Sequence, residues 1–292
     1  MPTVAYLGPE KTNTYFAARK KFGAVAKYVH APTVEDIFQS VEHRKADFGV
    51  VPIENSLEGA VTHTLDRFIL SRPSPVRVCG EVEMLIKHCL ILLPKADAKK
   101  ITVVYSHPQA LAQCRDWLRG HLPRAQLVEM TSTSEAVNAL LLQNYRVTTR
   151  PDGSSEVLMT PESQAAIGRK DLASDSGLKA IPIPQGRENK TRFLVISLGR
   201  SKRMRRNKTS VMFALKDKPG ALHDALVPFK NYGINLMKIE SRPTKRKAWE
   251  YVFFVDFTGH QSDPKVRKAL GALKRCTAEV RVLGSYPVGS GS

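Results

Sequence analysis

The feature that most constrains the fold is a short apolar strand followed by a polar turn and a helix, repeated along the first half of the chain. Turns of this kind lie at 8–14, 52–56, 106–108 and 131–135. Strands that alternate with helices predict an α/β fold, whose ligands bind beyond the carboxyl ends of the strands. Each turn offers backbone N–H groups at the positive end of a helix, and these favour an anion. The alternative is that the Ser and Thr residues there serve only as helix caps.

Capping patterns predict where two of the helices begin. Thr33 is followed three residues later by Asp36, and Ser132 by Glu135, which are the spacings of a capping box or its variant. The helix after Thr33 is predicted to bury one face, because its apolar residues recur at helical spacing. Those residues are Val34, Ile37, Phe38 and Val41.

The C-terminal part of the chain, residues 209–287, is predicted to form a separate small domain. Its elements follow the order βαββαβ, which is the ferredoxin-like arrangement. The predicted strands are 210–215, 234–240, 249–257 and 279–283, and the predicted helices run from after 219 to about 232 and from 264 to 274.

A basic segment stands before this domain. The net charge of the chain is +18, and much of it lies in 199–208, which we predict to be a solvated linker. The segment has no interleaved aromatic residues, and no helix-turn-helix or zinc-finger pattern surrounds it. Nucleic-acid binding is therefore the less favoured alternative, and it would show as steeply salt-dependent retention on DNA. Residues 288–292 are predicted to be a disordered tail.

No sequence motif for a metal, nucleotide or other cofactor is present. The sequence contains no Walker loop, no dinucleotide-binding glycine pattern and no zinc-protease motif, and its His residues lack metal-ligand spacing. The four cysteines are predicted to stay reduced and to act as small apolar residues. No apolar run reaches the length of a membrane helix, and the start lacks the pattern of a signal peptide. We therefore expect no metal site and no export of the protein.

Several short motifs, taken together and in order, resemble those of prephenate dehydratases across nearly the whole chain. The most informative is Asn189-Lys-Thr-Arg-Phe193. The resemblance implies a two-lobed catalytic region like that of periplasmic binding proteins, followed by an ACT regulatory domain. The catalytic region is expected at 1–198, with lobe one at about 1–80 and 181–198 and lobe two at about 81–180. The motifs lie at 51–59, 106–114, 131–133, 165–167, 189–193, 220–223, 234–243 and 283–286.

The implied reaction is loss of water and carbon dioxide from prephenate, giving phenylpyruvate, with feedback regulation by L-phenylalanine. It needs no cofactor because the two departures create an aromatic ring. By resemblance, Thr191 hydrogen-bonds or protonates the leaving hydroxyl, although the pKa of a threonine suits positioning better than acid catalysis. Arg192 suits bidentate binding of a substrate carboxylate, and Phe193 is expected to pack against the substrate or the hinge. The implied substrate-binding residues are Asn55, Ser56, Ser106, Gln113, Thr131, Thr133 and Thr12.

The ACT domain implies a regulatory site for L-phenylalanine at a subunit interface, and hence a homodimer or homotetramer. Gly220 allows the backbone to approach a ligand, and the helix that follows presents free N–H groups. The alternative is an ACT fold used only for dimerisation. The implied phenylalanine-binding residues are Gly220, Ala221, Leu222, His223, Asn235, Leu236, Glu240, Ser241, Arg242 and Pro243.

The sequence departs from the family pattern in a few places. Lys11 stands where the family has a glycine, Asn13 where it has an aromatic residue, and Ser176 where it often has a tyrosine. A side chain at position 11 either clashes with the expected backbone or adds a cation near the substrate carboxylates. Segment 145–161 is longer than usual and is predicted to be a hairpin or a loose loop.

Two related functions stay open on the sequence. Arogenate dehydratase performs the same elimination on the aminated substrate, and relative turnover of both substrates separates the two. A catalytically impaired phenylalanine sensor would keep the fold without the activity, although the intact Thr191-Arg-Phe193 argues against it. No chorismate mutase segment precedes the motifs, so we expect a monofunctional chain.

Overall fold

The computed structural model describes residues 1–70, 74–142, 146–149, 155–174, 176–184, 186–244 and 250–289. The chain divides into two compact units. The first unit comprises 1–8, 14–84 and 191–292, and the second comprises 9–13 and 85–190. Among the described residues, no helix is long and apolar enough to cross a membrane.

The first unit opens with an α/β layer, which we call the first lobe. Its sheet has the order β2-β1-β3-β13-β5, with the short β4 paired to β3. Strand β1 is parallel to β2 and β3, whereas β13 runs antiparallel to β3. These elements are β1 (Thr3–Leu7), α1 (Asn13–Phe22), β2 (Lys27–Ala31), α2 (Val34–Glu42), β3 (Phe48–Asn55), β4 (Gly59–Ala60), α3 (Thr62–Leu70), β5 (Arg77–Leu85) and β13 (Lys190–Ser197).

The predicted start of α2 is confirmed. The Thr33 hydroxyl accepts a hydrogen bond from the backbone N–H of Asp36, whose carboxylate accepts one from the backbone N–H of Thr33. This reciprocal cap satisfies two N–H groups that the helix itself leaves unpaired. The helix then buries the four apolar residues that its spacing predicted, Val34, Ile37, Phe38 and Val41.

The second unit is another α/β layer, with the sheet order β12-β6-β11-β7-β8. Strand β11 is parallel to β7 and antiparallel to β6, and β12 is antiparallel to β6. Its elements are β6 (Cys89–Leu92), β7 (Val103–Ser106), α4 (Pro108–Gln113), α5 (Arg115–His121), β8 (Gln126–Glu129), α6 (Thr133–Leu141), β9 (Arg146–Thr149), β10 (Ser155–Met159), β11 (Gln164–Gly168), α7 (Lys170–Ser174) and β12 (Lys179–Pro182).

The structure refines two sequence predictions for this unit, namely its boundaries and the conformation of segment 145–161. Its boundaries lie later than the predicted 81 and 180, because β5 continues in the first sheet to Leu85 and β12 is hydrogen-bonded into the second sheet. In segment 145–161, strands β9 and β10 form an antiparallel pair. Residues 145 and 150–154 of that segment lie outside the described ranges.

The C-terminal domain has the predicted ferredoxin-like order βαββαβ. Its sheet has the order β15-β16-β14-β17, so β15 is an edge strand. The elements are β14 (Asn207–Leu215), α8 (Ala221–Asn231), β15 (Leu236–Pro243), β16 (Tyr251–Thr258), α9 (Pro264–Cys276) and β17 (Thr277–Pro287). Position 249, predicted to begin β16, lies outside the described residues.

The two ends of this domain differ from the predicted linker at 199–208 and the predicted tail at 288–292. Asn207 and Lys208 are buried residues of β14 and not parts of a solvated linker. Beyond β17, the backbone N–H of Gly289 donates to Glu81 Oε1 at 2.8 Å, so the chain is still paired where a tail was predicted to begin. Residues 290–292 lie outside the described ranges.

The C-terminal domain shares a hydrophobic core with the first lobe. Apolar side chains on one face of its sheet, among them Met212 and Phe254, belong to the same buried cluster as Val76 of the first lobe. Gly284 of β17 lies so close to the first lobe that a Cβ atom there would stand 2.0 Å from the carbonyl oxygen of Val78. A glycine is therefore required at that contact. The opposite face of the sheet is covered by α8 and α9.

Candidate active site

Two residues predicted for the site, Asn55 and Thr191, lie side by side in the first lobe. They are register partners on β3 and β13. Asn55 Nδ2 donates to Thr191 Oγ1 at 3.0 Å. Asn55 is 9% exposed, and its Oδ1 accepts from the backbone N–H groups of Leu57 at 2.9 Å and Glu58 at 3.2 Å. Three hydrogen bonds thus fix this amide at the end of β3.

These bonds fix the Thr191 hydroxyl oxygen as an acceptor towards Asn55. The reversed orientation of the Asn55 amide would turn its NH2 group towards two N–H donors, so Oδ1 must face the turn and Nδ2 must face Thr191. Thr191 Oγ1 is therefore an acceptor towards Asn55. A hydroxyl has one proton, and that of Thr191 is not used in the bond to Asn55. The pair can donate one oriented hydrogen bond to an oxygen of a ligand.

Arg192 is not free to bind a substrate carboxylate as the sequence predicted. Its side chain is 9% exposed and contacts three carboxylates of the protein. Nη2 lies 2.7 Å from Glu54 Oε1, while Nη1 lies 2.9 Å from Asp256 Oδ2 and 3.4 Å from Glu81 Oε2. Burial alone would lower the pKa of the guanidinium, but the three carboxylates more than offset it and raise that pKa above its ordinary value. Successive residues of a strand face opposite sides, so Arg192 turns away from the side that Thr191 faces.

Of the two placements predicted for Phe193, against the substrate or against the hinge, its burial argues against the first. A ring that packs against a substrate must be reachable by it, whereas Phe193 is 1% exposed. Its backbone pairs with Pro52 of β3, just after a β-bulge that separates it from Arg192. We therefore describe Phe193 as a core residue of the strand that carries Thr191.

In the second unit, the half-buried Gln113 is the centre of a small polar group with the buried residues His88 and Asn189. Gln113 Oε1 accepts from Asn189 Nδ2 at 2.7 Å and lies 2.9 Å from His88 Nε2. Because an amide oxygen only accepts, His88 must carry its proton on Nε2. Burial lowers the pKa of His88, and the bond to Gln113 only partly offsets this effect. His88 is therefore neutral at pH 7, with a buried Nδ1 that has no hydrogen-bond partner among the described residues.

Two other predicted binding residues of this unit use their hydroxyl groups within the protein. Ser106 is 0% exposed, and its Oγ donates to the carbonyl oxygen of Ile167 at 2.8 Å. The hydroxyl of Thr131 binds the carboxylate of Glu135, which also accepts the Thr131 backbone N–H at 3.1 Å. Ser106 is thus a strand residue, and Thr131 belongs to a helix cap. Each hydroxyl can still accept a hydrogen bond, so direct substrate contact by Ser106 and Thr131 stays a prediction.

At three of the four polar turns, a side chain of the turn accepts backbone N–H groups. At the start of α6, Ser132 accepts from the backbone N–H of Glu135 as predicted, but the Glu135 carboxylate binds Thr131 and not Ser132. Helix α4 is capped by His107, whose Nδ1 accepts from Gln109 N. The turn after β3 is closed by Asn55. The N–H groups at these turns are used by neighbouring side chains, which weakens the case for anions there.

The remaining predicted substrate residues lie in turns or at a helix start. Ser56 is exposed just after β3, Thr133 is the first residue of α6, and Thr12 is half-buried in the turn before α1. Lys11 has φ 64°, in the left-handed region that a glycine adopts without strain. The chain therefore keeps the backbone geometry of a glycine at position 11 although a lysine is present.

The residues predicted for phenylalanine lie on two segments of the C-terminal domain. Gly220 is the N-cap of α8, with φ 75°, and Ala221, Leu222 and His223 form the first turn of that helix. Strand β15 carries Glu240, Ser241 and Pro243 after the loop at Asn235, and Leu236 is its first residue. Arg242 departs from the prediction, because its Nη2 donates to Asp66 Oδ1 of α3 at 3.0 Å. We assign Arg242 to the contact between the C-terminal domain and the first lobe.

Comparison with known proteins decides the family. The family model described as prephenate dehydratase matches residues 4–201. The chain belongs to the prephenate dehydratase family. A second model, the ACT domain, matches residues 209–275.

Individual members of the prephenate dehydratase family support this result. A bifunctional chorismate mutase/prephenate dehydratase of Aquifex aeolicus is 43% identical over 97% of this chain and 73% of its own length. A prephenate dehydratase of Methanocaldococcus jannaschii is 35% identical over 98% of each chain. The solved structure of a prephenate dehydratase from Arthrobacter aurescens, in complex with L-Phe, is 34% identical with a TM-score of 0.82. It covers 98% of this chain and 90% of its own. The two-lobed region and the ACT domain expected from the sequence agree with this family.

The structure of this prephenate dehydratase family member adds residues to the site that the sequence did not predict. Asn189 and Glu54 lie inside motifs that were identified, next to the residues given roles. His88 has no such signal, because the sequence around it shows no metal-ligand spacing. Asp256 gave one usable signal, since it is the only charged residue within the apolar strand β16.

Proposed function

We propose that this chain catalyses the conversion of prephenate to phenylpyruvate, and that L-phenylalanine regulates the reaction. The class of the enzyme is a carbon–oxygen lyase. In the reaction, the bond between the ring and its carboxylate breaks, its electrons complete the aromatic ring, and the ring hydroxyl departs. One proton is consumed so that the hydroxyl leaves as water. The family match over 4–201, together with the Thr191–Asn55 pair, carries the proposal.

The role proposed for Thr191 follows from the direction of its hydroxyl. A departing hydroxide develops negative charge on oxygen, and an oriented donor stabilises that charge most in the transition state. Thr191 accepts from Asn55 and donates to the leaving oxygen. A threonine hydroxyl has too high a pKa to give up its proton fully near pH 7, so its part is hydrogen-bond donation. Asn55 is the residue that keeps this hydroxyl in its donating orientation.

Other residues enter the proposal from the sequence. Ser56, Thr12, Thr133 and Gln113 are proposed to contact the substrate. The hydroxyl of Ser106 donates to a backbone carbonyl and that of Thr131 to a carboxylate, so each is proposed to meet the substrate as an acceptor.

The proposed regulation uses the C-terminal domain. A relative with 34% identity is described in complex with L-Phe, which supports the same effector for this chain. We propose that the start of α8 and strand β15 bind the effector. Met237 and Ile239 are exposed on the edge strand β15, and they suit contact with a second copy in a homodimer or homotetramer. We further propose that the protein acts in the cytoplasm.

The test is turnover by the purified chain. Phenylpyruvate formation from prephenate, suppressed by added L-phenylalanine, is the expected result. Arogenate should be tested in parallel at the same concentrations. Preferential turnover of arogenate would replace the substrate, and a folded protein that turns over neither would refute the enzymatic proposal. Turnover that does not respond to phenylalanine would refute only the regulatory part.

A further inference from the structure

A buried cluster of charged residues connects the Thr191–Asn55 pair to the C-terminal domain. Around Arg192, Lys208 Nζ forms a salt bridge with Glu81 and lies 3.7 Å from Asp256, and Lys238 forms a salt bridge with Glu54. Ser210 Oγ donates to Asp256 Oδ1 at 2.5 Å. We call this set the Arg192 cluster; its charged members are Arg192, Lys208, Lys238, Glu54, Glu81 and Asp256.

Stability is a weak explanation for such a cluster. Its three cations balance its three carboxylates, but removing the buried members Arg192, Lys208 and Glu81 from water costs free energy that their mutual attraction barely repays. Apolar side chains of similar volume would hold the two domains together at least as well. What charged pairs supply is geometric definition, because a guanidinium forms directed bonds to carboxylates.

The position of the cluster indicates that it defines the register of β13 against β3. Arg192 and Glu54 are register partners on β13 and β3, and each directly adjoins a member of the Thr191–Asn55 pair. Their side chains lie on the opposite side of the strands from that pair. A shift of Arg192 against Glu54 therefore moves Thr191 against Asn55 through the backbone. The 3.0 Å bond between Asn55 and Thr191 depends on this register.

The other half of the cluster belongs to the C-terminal domain. Asp256 lies on β16 and Lys208 on β14, and these two strands are neighbours in the sheet. Lys238 lies on β15, two residues before Glu240 and on the same face of the strand. Arg242 of the same strand pairs with Asp66 of the first lobe. Strand β15, which we propose to bind phenylalanine, thus holds the first lobe through two salt bridges.

We propose that Arg192 is a positioning residue, which sets the Thr191–Asn55 geometry and makes it responsive to the C-terminal domain through Lys238 and Glu54. This inference rests on the proposed function for its catalytic readout. It differs from the role that the sequence implied, in which Arg192 binds the substrate. A positioning residue changes kcat, whereas a residue that binds the substrate carboxylate changes KM as well.

The first experiment compares two Arg-to-Lys variants in the full chain. Arg192→Lys keeps the charge but loses the planar fork that reaches three carboxylates. Its kcat is expected to fall about 10- to 100-fold with KM within about threefold. Arg281→Lys is the matched control, because Arg281 also crosses the domain boundary, donating from Nη1 to the carbonyl oxygen of Phe68 at 3.0 Å. Its kcat and its response to phenylalanine are expected to stay within about twofold of the unmodified chain.

The second experiment guards against a variant that simply fails to fold. Lys238 is at the edge of the cluster, with its side chain 15% exposed, so Lys238→Met should fold. The readout is the ratio of phenylalanine Kd with and without substrate, measured by calorimetry. In Lys238→Met this ratio is expected to fall from about 5- to 150-fold towards one, whatever change the substitution makes to phenylalanine binding itself. Lys238→Arg is expected to retain the ratio.

Several outcomes would overturn the inference. They are an unchanged kcat in Arg192→Lys, a rise in KM without loss of kcat, an equal loss in Arg281→Lys, or an unchanged coupling ratio in Lys238→Met. Failure of the proposed function is recognised separately, as absence of turnover by the unmodified chain. In that case hydrogen exchange still tests the coupling. Phenylalanine should then slow exchange at the amides near Asn55 and Thr191 in the unmodified chain but not in Lys238→Met, and the same protection in both would refute it.

Discussion

The substitution Asn55→Asp tests the direction of the Thr191 hydroxyl without changing the shape of the side chain. In the unmodified chain, Oδ1 accepts two backbone N–H groups and Nδ2 donates to Thr191. The introduced carboxylate can accept the same two N–H bonds, but its second oxygen is an acceptor. Thr191 must then donate to it, and the proton that we assign to the leaving hydroxyl is lost to the substrate.

The expected magnitudes differ for stability and for catalysis. The two turn bonds become charge-assisted and roughly twice as strong, so the thermal midpoint should be unchanged or higher. Loss of one oriented donor to a developing oxyanion costs about 100- to 1,000-fold in kcat, or about 2.7–4 kcal/mol. The N–H bonds also hold the introduced carboxyl ionised, with a pKa below the ordinary value of about 3.9. The loss of kcat should therefore be the same at every pH above about 5.

The assay is steady-state phenylpyruvate formation at saturating prephenate. Saturation matters because repulsion between the added charge and an anionic substrate raises KM, whereas reversal of the hydroxyl lowers kcat. A double-mutant cycle with Thr191→Val completes the test. If the Thr191 proton is already diverted, adding Thr191→Val to Asn55→Asp should lower kcat by no more than about threefold further.

Two results would refute this reasoning. The first is a folded Asn55→Asp variant whose kcat lies within about threefold of the unmodified chain. The second is full additivity in the cycle, since independent effects would mean that Asn55 does not act through Thr191.

Three further predictions concern backbone strain, acid stability and thiol reactivity. Lys11→Gly should stabilise the chain in urea unfolding by about 0–1 kcal/mol, because relief at φ 64° slightly exceeds the added chain entropy, and clear destabilisation would contradict it. Burial opposes ionisation of Asp256, yet the cations Arg192 and Lys208 lower its pKa below the ordinary value. The ionised carboxylate therefore adds to the unfolding free energy above about pH 4, and this contribution is lost as pH falls further. Asp256→Asn should therefore flatten the acid limb of that free energy, and an unchanged slope would count against it. Burial, with a smaller effect of Cys89, raises the pKa of the Cys114 thiol to about 12. Alkylation of Cys114 at pH 8 should therefore be about a thousandfold slower in the folded chain than in the chain unfolded by urea. Comparable rates in the two states would refute this prediction.

Local chemistry explains why much of the fold was predictable from the sequence. The cap at Thr33 and the apolar face behind it depend on residues within one or two turns of helix, and both were found as expected. The strand–helix alternation and the βαββαβ order have the same local origin. Boundaries between the lobes were less accurate, because β12 is assigned by its partner β6, about 90 residues earlier in the chain.

For the candidate site too, the sequence predicts what depends on local residues and misses what depends on distant ones. The sequence named Asn55 and Thr191, but only the register of β3 with β13 shows that they bond to one another. Arg192 was misjudged because its partners Glu81 and Asp256 come from distant segments of the chain. A cation next to a proposed catalytic residue suits a substrate anion equally well until those carboxylates are located.

The polar turns show a similar ambiguity. A Ser or Thr before a helix has the same sequence signature whether its N–H groups face a ligand or a neighbouring side chain. Glu135 could have been recognised as the competitor at Thr131, since it lies four residues away on the same turn. The Ser106 bond to Ile167 had no such local signal, because it joins two different strands of the sheet.

The central claim is that the hydroxyl of Thr191 carries the elimination, and its most direct test is kcat for prephenate in Thr191→Val and Thr191→Ser. Valine keeps the shape of the side chain without the hydroxyl, and serine keeps the hydroxyl. The account predicts that kcat falls by about 100- to 1,000-fold in Thr191→Val and by no more than about tenfold in Thr191→Ser. A Thr191→Val variant as active as Thr191→Ser would contradict it.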